Sequence, residues 1–418
     1  MKFKKYLKRK KLNNIFETKL SQKPSMGTDG VTTNKFSEIL DDEITIIKRK
    51  VKNQTYNISP YREKLILKNR DSKPRMISIP TNRDRLTFRA LTQFITDSFS
   101  DELAERSIHT MIIDIKKNIK LKKYDSFIKL DIENFYPSLD HSILIEKLEK
   151  KIDDPRAISL IRKAISKYTI TNGRVDKTKL KELTQGVPQG LSFSSILSSI
   201  YMAESDYKYN SRSDMAFYRF VDDVLILCNK EDLDVIKSDI VEEMDDLNLT
   251  VHPFEHNSSK SSFGTIGLDR FQYLGYEFFN NTVSVREASL DNFYDSIIEI
   301  FKTTRDEDEL YYNLNHKITG CVYHNKKYGW LNFFALIDDI PLLHKLDAFV
   351  KKSFKQHNIT YSENKVKKFV KTYFELKNIE KSSYIPKYPA PKKTNVIKFS
   401  KKRLEMLIEK LKKDMEFY

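Results

Sequence analysis

Cysteine is nearly absent from this chain: Cys228 and Cys321 are the only two among 418 residues. That excludes a disulfide framework and a cysteine-based zinc site. Glycine and proline are also scarce, ten and twelve residues, so long disordered stretches are not expected. No apolar run approaches the roughly twenty residues that a membrane-spanning helix needs. The N-terminal "MKFKKYLKRKKLNNIF" lacks the apolar stretch of a secretory signal. The expectation is a cytoplasmic protein without a membrane partner. Positive charge, by contrast, is abundant. Lysine and arginine number 74 against 58 acidic residues, a formal charge of +16. Such a balance implies a polyanionic partner, nucleic acid ahead of a membrane surface. The length and a hydrophobic content of 39% allow a sizeable core and more than one subdomain.

Periodicity places the elements. Apolar spacing of three to four predicts a helix over 34–52, capped by Thr32 or Thr33. "KLILKNRDSKPRMISIPT" alternates with period two, predicting a hairpin that turns at "NRDS". Helical spacing returns over 83–97, and "YDSFIKLDIENFY" holds a strand. Helices are expected at 141–152, 158–168 and 192–210, followed by a hairpin of strands Ala216–Val221 and Val224–Leu227. A helix at 231–247, a strand at 249–254 and a second hairpin over 271–285, turning at Asn280-Asn281, come next. From about 287 onward the pattern is mostly helical. "IPKYPAPKKTN", 385–395, marks a boundary before a basic amphipathic helix over 400–417. The basic N-terminus reads as a solvated tail or a nucleic-acid arm, the arm being favoured by the overall charge. Strands clustered between helical segments predict an α+β fold.

The chemistry concentrates at "FYRFVDDVLILC". Asp222-Asp223 is a poor hairpin turn, because two-residue turns favour Asn-Gly or Asp-Gly for their positive φ. A divalent cation would neutralise the pair, and Mg²⁺ takes a few carboxylates plus water and substrate phosphates. Two-metal phosphoryl transfer also needs a carboxylate from another strand. Asp131, at the end of the apolar strand in "IKLDIENFYPSLDH", is the candidate. Either site alone would pass for an acidic turn or a strand end. Between them lies "TQGVPQGLSFSSILSS", whose glycines can lay backbone against a flat substrate and whose Gln189 offers an amide to a sugar or base.

"DIENFYPSLDH", "QGVPQGLSFSS" and "FVDD", in this order, resemble motifs A, B and C of reverse transcriptases. "LILKNRDSKPRMISIPTNRDRL" resembles their fingers motifs, and "GTDGVT" an N-terminal segment of group II intron and related bacterial forms. Lys260 stands where motif D carries a lysine, and "FQYLGYEF" resembles the primer-grip motif E. The likeness spans roughly residues 25–285. It points to bacterial enzymes of the group II intron-like and retron-like superfamily, most of all the stand-alone reverse transcriptases of anti-phage defence.

This resemblance implies a right-hand polymerase of fingers, palm and thumb. Its parts would be a basic extension over 1–24, fingers over 25–125, an antiparallel palm over 126–285, a helical thumb over 286–384 and a basic tail over 385–418. It further implies that Asp131 and Asp222 bind two Mg²⁺ ions, with Mn²⁺ as a possible substitute. Asp223 would support them, and the Ile132 carbonyl would complete one shell. Lys68, Lys73 and Arg75 would contact the triphosphate of an incoming dNTP, and Gln189 would line the nucleotide pocket. Tyr136 would exclude a ribose 2′-hydroxyl, Lys260 would protonate pyrophosphate, and Tyr273, Leu274 and Gly275 would grip the primer. Surface charge on a hairpin, a solvated loop lysine and a core aromatic are the plain alternatives for these residues. Trp330, Phe333 and Phe334 are read as thumb core.

The implied reaction is RNA-templated extension of a DNA primer, with a cognate non-coding RNA as partner and phage defence as its setting. A retroelement or retron-type enzyme, a template-independent polymerase and an RNA-binding scaffold on an inactive polymerase fold are the alternatives. One departure stands out: motif C carries Phe220-Val221, where the family usually has Tyr or a similar aromatic followed by a small residue. No RNase H-like, endonuclease-like or integrase-like series follows residue 290. The oligomeric state is open.

Overall fold

The computed structural model describes residues 2–67, 74–103, 107–170, 183–256, 258, 260–323 and 326–381. They divide into two compact units. The first holds the described residues up to Arg106 together with Ile128–Glu255, and the second holds Ser107–Phe127 and the described residues from His256 on.

In the first unit, β1 (Tyr61–Ile66) pairs antiparallel with β2 (Arg75–Ile79), joining Ile66 to Arg75 at the open end. The strand β3 (Ser126–Asp131) begins in the second unit and runs into the first. The two-residue β4 (Thr169–Ile170) adds to β1 in parallel. Then β5 (Met215–Phe220) and β6 (Asp223–Cys228) form an antiparallel hairpin. Strands β5, β6 and β3 lie side by side in that order. Residues Val224–Cys228 and Ser126–Leu130 are buried throughout; Val224–Cys228 accordingly reads as an unbroken apolar run rather than an alternating one, while β3 buries Ser126 and Lys129 beside Phe127, Ile128 and Leu130. The mixed α+β character expected from the sequence is met.

Several local expectations change. The helix expected over 34–52 is two helices, Thr33–Glu38 and Leu40–Lys52, divided at Ile39 (φ −111°, ψ 16°). Thr32, not Thr33, is the cap, accepting from the Lys35 amide. Thr33 is buried and exchanges hydrogen bonds with Ser25. The strand expected at 249–254 shrinks to isolated bridges, among them Ile132 with Val251. Val251 pairs just past the end of β3.

The basic N-terminus is neither a free tail nor a free arm. It forms short helical turns that bury Phe3, Tyr6, Leu12, Ile15 and Phe16, while its lysines stay exposed. Phe3 and Tyr6 pack on Phe94 of the helix Asn82–Ser98. Its anchor is Asp154, which accepts from the Phe3 amide at 2.9 Å, caps the helix Pro155–Ile165 and pairs with the Arg156 guanidinium. Burial alone would raise the Asp154 carboxyl. The Arg156 fork and the amides of Phe3 and Arg156 outweigh it and hold the group below the usual carboxylate range. The apolar spacing inside a lysine-rich stretch decided this outcome, since the charges occupy the other face.

In the second unit, β7 (Ser262–Thr265) precedes a three-stranded sheet of order β10-β9-β8, from β8 (Phe271–Tyr273), β9 (Tyr276–Phe279) and β10 (Thr282–Val285). Asn280 and Asn281 both take positive φ between Phe279 and Thr282, the turn the sequence predicts. A hairpin of β11 (Cys321–Tyr323) and β12 (Lys326–Tyr328) interrupts the region expected to be helical. Six helices make up the rest of this unit among the described residues: Ile108–Lys120 earlier in the chain, then Glu287–Thr303, Glu307–Thr319, Trp330–Phe333, Ile340–Gln356 and Phe369–Lys381. Trp330, Phe333 and Phe334 are buried as expected, and the Trp330 ring stacks on Phe293 at 4.4 Å.

Candidate polymerase active site

Asp131 closes β3 and Asp223 opens β6, and the two strands are neighbours in the sheet. The Asp131 carboxylate is half-buried, with 15% of the side chain exposed. Past it, the His252 amide donates to the Asp131 carbonyl and the Glu133 amide to the Thr250 carbonyl. Those two bonds flank Ile132, so its own carbonyl points away from the 250–252 segment and is not consumed by it.

The β5–β6 hairpin corrects the expected turn. Phe220 pairs with Asp223, so the loop is Val221-Asp222 rather than Asp222-Asp223. Val221 takes φ 59°, and Asp222 is not among the residues of positive φ. That is the sign pattern of a type II′ turn, in which glycine normally occupies the first position. The ring of Phe220 is exposed beside the pair.

The loop read as motif B is held on two sides. On one, the Val187 amide donates to the Tyr136 carbonyl and the Gly186 amide to the Leu139 carbonyl, each at 2.8 Å. On the other, the Ser78 amide of β2 donates to the Gln189 carbonyl at 2.7 Å. Gly190 makes this second approach possible. It has φ 103°, and a Cβ there would lie 2.6 Å from Ile77 Cγ2 and 2.9 Å from the Ser78 carbonyl. The structure thereby brings Tyr136, Gln189 and the strand that Arg75 opens together in one unit. Tyr136 is half-buried, its hydroxyl 3.5 Å from the Ser198 hydroxyl, while its neighbour Phe135 is buried in the core.

Lys68, Lys73 and the turn "NRDS" lie outside the described residues. Lys260 belongs to the second unit, exposed on a bend whose amide bonds to the Ser258 hydroxyl. Tyr273, Leu274 and Gly275 also lie there, at the two-residue turn between β8 and β9, with Leu274 at φ 51° and Gly275 at φ 86°. The Tyr273 and Leu274 side chains are buried, so this turn offers backbone rather than side chains.

His252 escaped the sequence reading. Its Nε2 lies 3.4 Å from the Asp131 carboxylate and its Nδ1 lies 3.1 Å from that of Glu133. The available signal was a histidine in a short β-patterned stretch, but only tertiary pairing with β3 shows what it faces.

The family whose sequence pattern matches residues 66–278 is described as reverse transcriptase (RNA-dependent DNA polymerase). The chain belongs to this reverse transcriptase family. Among curated relatives, YkfC of Escherichia coli is 27% identical over 201 residues, covering 44% of this chain and 50% of that protein. An uncharacterized 91 kDa protein in a cob intron of Schizosaccharomyces pombe is 30% identical over 213 residues, covering 49% of this chain and 25% of that protein. The chain thus spans half or less of the length of these relatives. Among solved structures, apo telomerase from Candida tropicalis aligns with TM-score 0.44 and 15% identity over 94% of this chain and 70% of that one. Telomerase from Candida albicans in complex with a TWJ fragment of telomeric RNA aligns with TM-score 0.45 and 15% identity, over 84% and 64%.

Reverse transcriptases of this family use a divalent metal, and the donors here suit one. Asp131, Asp222 and Asp223 are carboxylates, none fully buried, and hard oxygen donors suit Mg²⁺. Among the described residues no three His, Cys, Asp or Glu side chains converge into a ready-made cage. Mg²⁺ held by one or two carboxylates, with water and substrate phosphates completing its shell, requires none.

Proposed function

We propose that this chain is an RNA-directed DNA polymerase that extends a primer 3′ end with dNTPs. The observation that carries the reading is the adjacency of β3 and β6, the strands bearing Asp131 and Asp223, inside the matched stretch. Asp131 and Asp222 would hold Mg²⁺, supported by Asp223 and the Ile132 carbonyl. When bound, the metal would neutralise phosphate charge and favour the ionised form of the primer hydroxyl.

The protein's own groups would supply positioning and fixed charge, which dominate phosphoryl transfer. The Arg75 fork can pair two phosphate oxygens of the incoming triphosphate, with Lys68 and Lys73 as further cations. Gln189, on a loop tied by hydrogen bonds to β2 and to the Tyr136 segment, would contact the nucleotide sugar or base. The Tyr136 ring, braced at Ser198, would collide with a 2′-hydroxyl and so favour dNTPs. Lys260 would give a proton to departing pyrophosphate, and the turn at Leu274-Gly275 would steady the primer. A cognate non-coding RNA as template, phage defence as the role and the cytoplasm as the location complete the proposal. They rest on the sequence resemblance, and the charge of +16 suits the RNA.

Primer extension on an RNA template with Mg²⁺ and dNTPs tests the reading, comparing wild type with the Asp222→Ala/Asp223→Ala variant. Extension by the wild type and none by a folded variant is expected. No incorporation by the wild type on any RNA, including RNA that co-purifies, would favour an inactive RNA-binding scaffold instead.

A further inference from the structure

Arg219 lies next to the catalytic turn, on β5, and its side chain is 8% exposed. Its Nε donates to Asp206 Oδ1 at 2.6 Å, and its Nη2 donates to Asp206 Oδ2. The remaining Nη1 donates to the Val221 carbonyl at 2.9 Å. Asp206 sits on the helix Ser194–Asn210, which follows directly from the motif B loop.

The Val221 carbonyl belongs to the peptide that leads into Asp222. Val221 is β-branched yet sits at φ 59°, a strained conformation that persists only where surroundings over-determine it. A guanidinium fixed by two bonds to one carboxylate presents its third donor in a defined plane. It therefore restrains the strained peptide, and with it the backbone from which the Asp222 carboxylate projects. Asp206 matters twice. It aims the fork, and it compensates a positive charge that would otherwise sit unpaired, almost fully buried, beside the turn. The same helix carries Ser198, whose hydroxyl meets that of Tyr136. One helix thus touches the aromatic proposed to select the sugar and, through Arg219, reaches the turn proposed to bear the catalytic acid.

We propose that Arg219, aimed by Asp206, is a positioning residue for polymerisation: it clamps the Val221–Asp222 peptide and so presets the Asp222 carboxylate. The proposal rests on the polymerase reading above. It also accounts for the unusual valine in "FVDD". The family's small residue tolerates positive φ more readily, whereas valine holds it here with the help of the clamp.

The test uses the full chain with Arg219→Gln, Arg219→Lys, Val221→Gly and the double variant Arg219→Gln/Val221→Gly. Three quantities are measured: thermal unfolding, Mn²⁺ affinity of the protein without nucleic acid, and steady-state primer extension. Arg219→Gln should lower kcat about 30-fold with KM for dNTP within about twofold, since an interaction expressed at the reacting centre is lost. Its Mn²⁺ affinity should fall about tenfold, because the carboxylate is no longer held in place. Arg219→Lys keeps the charge that pairs with Asp206 but loses the fork, and should show the same direction of change.

The double variant is the discriminating arm. Glycine adopts positive φ without strain, so the double variant should recover kcat to within about fivefold of wild type. A merely structural tie between β5 and the helix would not be rescued this way. The clamp is overturned if the Arg219 variants match wild type in kcat and Mn²⁺ affinity, or if Val221→Gly rescues nothing. A wild type that neither extends primers nor binds Mn²⁺ refutes the polymerase reading itself, and the clamp's role with it.

Discussion

Replacing Gly190 by alanine probes how the loop proposed to contact the nucleotide is seated. The new Cβ would lie 2.9 Å from the Ser78 carbonyl and 2.6 Å from Ile77 Cγ2. The isoleucine methyl can rotate aside, but the carbonyl is strand backbone and cannot. Two costs follow. Holding alanine at φ 103° takes on the order of 1–3 kcal/mol. If the loop lifts to relieve the clash, the buried Ser78 amide loses the Gln189 carbonyl, which costs about 1–3 kcal/mol. Alanine also reduces the freedom of the unfolded chain, offsetting about 0.4–1 kcal/mol. The expected net destabilisation is about 1–5 kcal/mol, centred near 3.

Gly30 supplies the control. It too has positive φ, 70°, but a Cβ there meets nothing within 4 Å. Gly30→Ala should therefore lose only about 1 kcal/mol, the conformational part. Urea unfolding of both variants reads the difference as a shift in midpoint at unchanged slope. The same Gly190→Ala protein should show a raised KM for dNTP, because Gln189 moves with the loop. Equal destabilisation by the two alanines, or a Gly190→Ala protein within about 0.5 kcal/mol of wild type, would refute the account of close loop-to-strand contact.

Asp154→Ala should destabilise the chain by about 2–4 kcal/mol, from a lost helix cap and an orphaned Phe3 amide, as read by denaturant unfolding. Because the Asp154 carboxyl is held low in the folded chain, its contribution is fully present above the unfolded value near pH 3.9. It is lost as pH falls through the folded value. The stability gap between wild type and Asp154→Ala should therefore begin to narrow below about pH 4 and go on narrowing through the lower folded value, and a gap that does not change with pH over that range would contradict the anchor. Tyr136→Ala should raise ribonucleotide incorporation relative to deoxynucleotide by about 10- to 100-fold, and unchanged selectivity would remove the gate. RNA affinity should fall at least about tenfold between 50 and 200 mM salt, and a flat salt profile in filter binding would argue against phosphate contacts.

Much of this architecture was legible because its signals are local. The buried runs of β3 and β6, the Asn280-Asn281 turn and the helix after the motif B loop follow from residue periodicity and turn chemistry, which neighbouring residues alone decide. The β11–β12 hairpin was missed because strands of three residues leave too short a period to read. The N-terminus was misjudged for a different reason: lysines dominate its composition, while its buried apolar side chains determine where it goes.

By itself the sequence determined which residues could do chemistry. The order of Asp131, the loop around Gln189 and Asp222-Asp223 carries that information, since chemistry depends on residue type. Tertiary structure alone decided which residues meet: His252 beside Asp131, Ser78 on Gln189, Arg219 between Asp206 and Val221. Those contacts join positions from 2 to 121 residues apart in the chain, and the longer ones are set by how strands and helices pack, which no local pattern encodes. Even the two-residue contact from Arg219 to Val221 escaped prediction. It needs the turn shifted by one residue to Val221-Asp222, and hairpin pairing fixes that register.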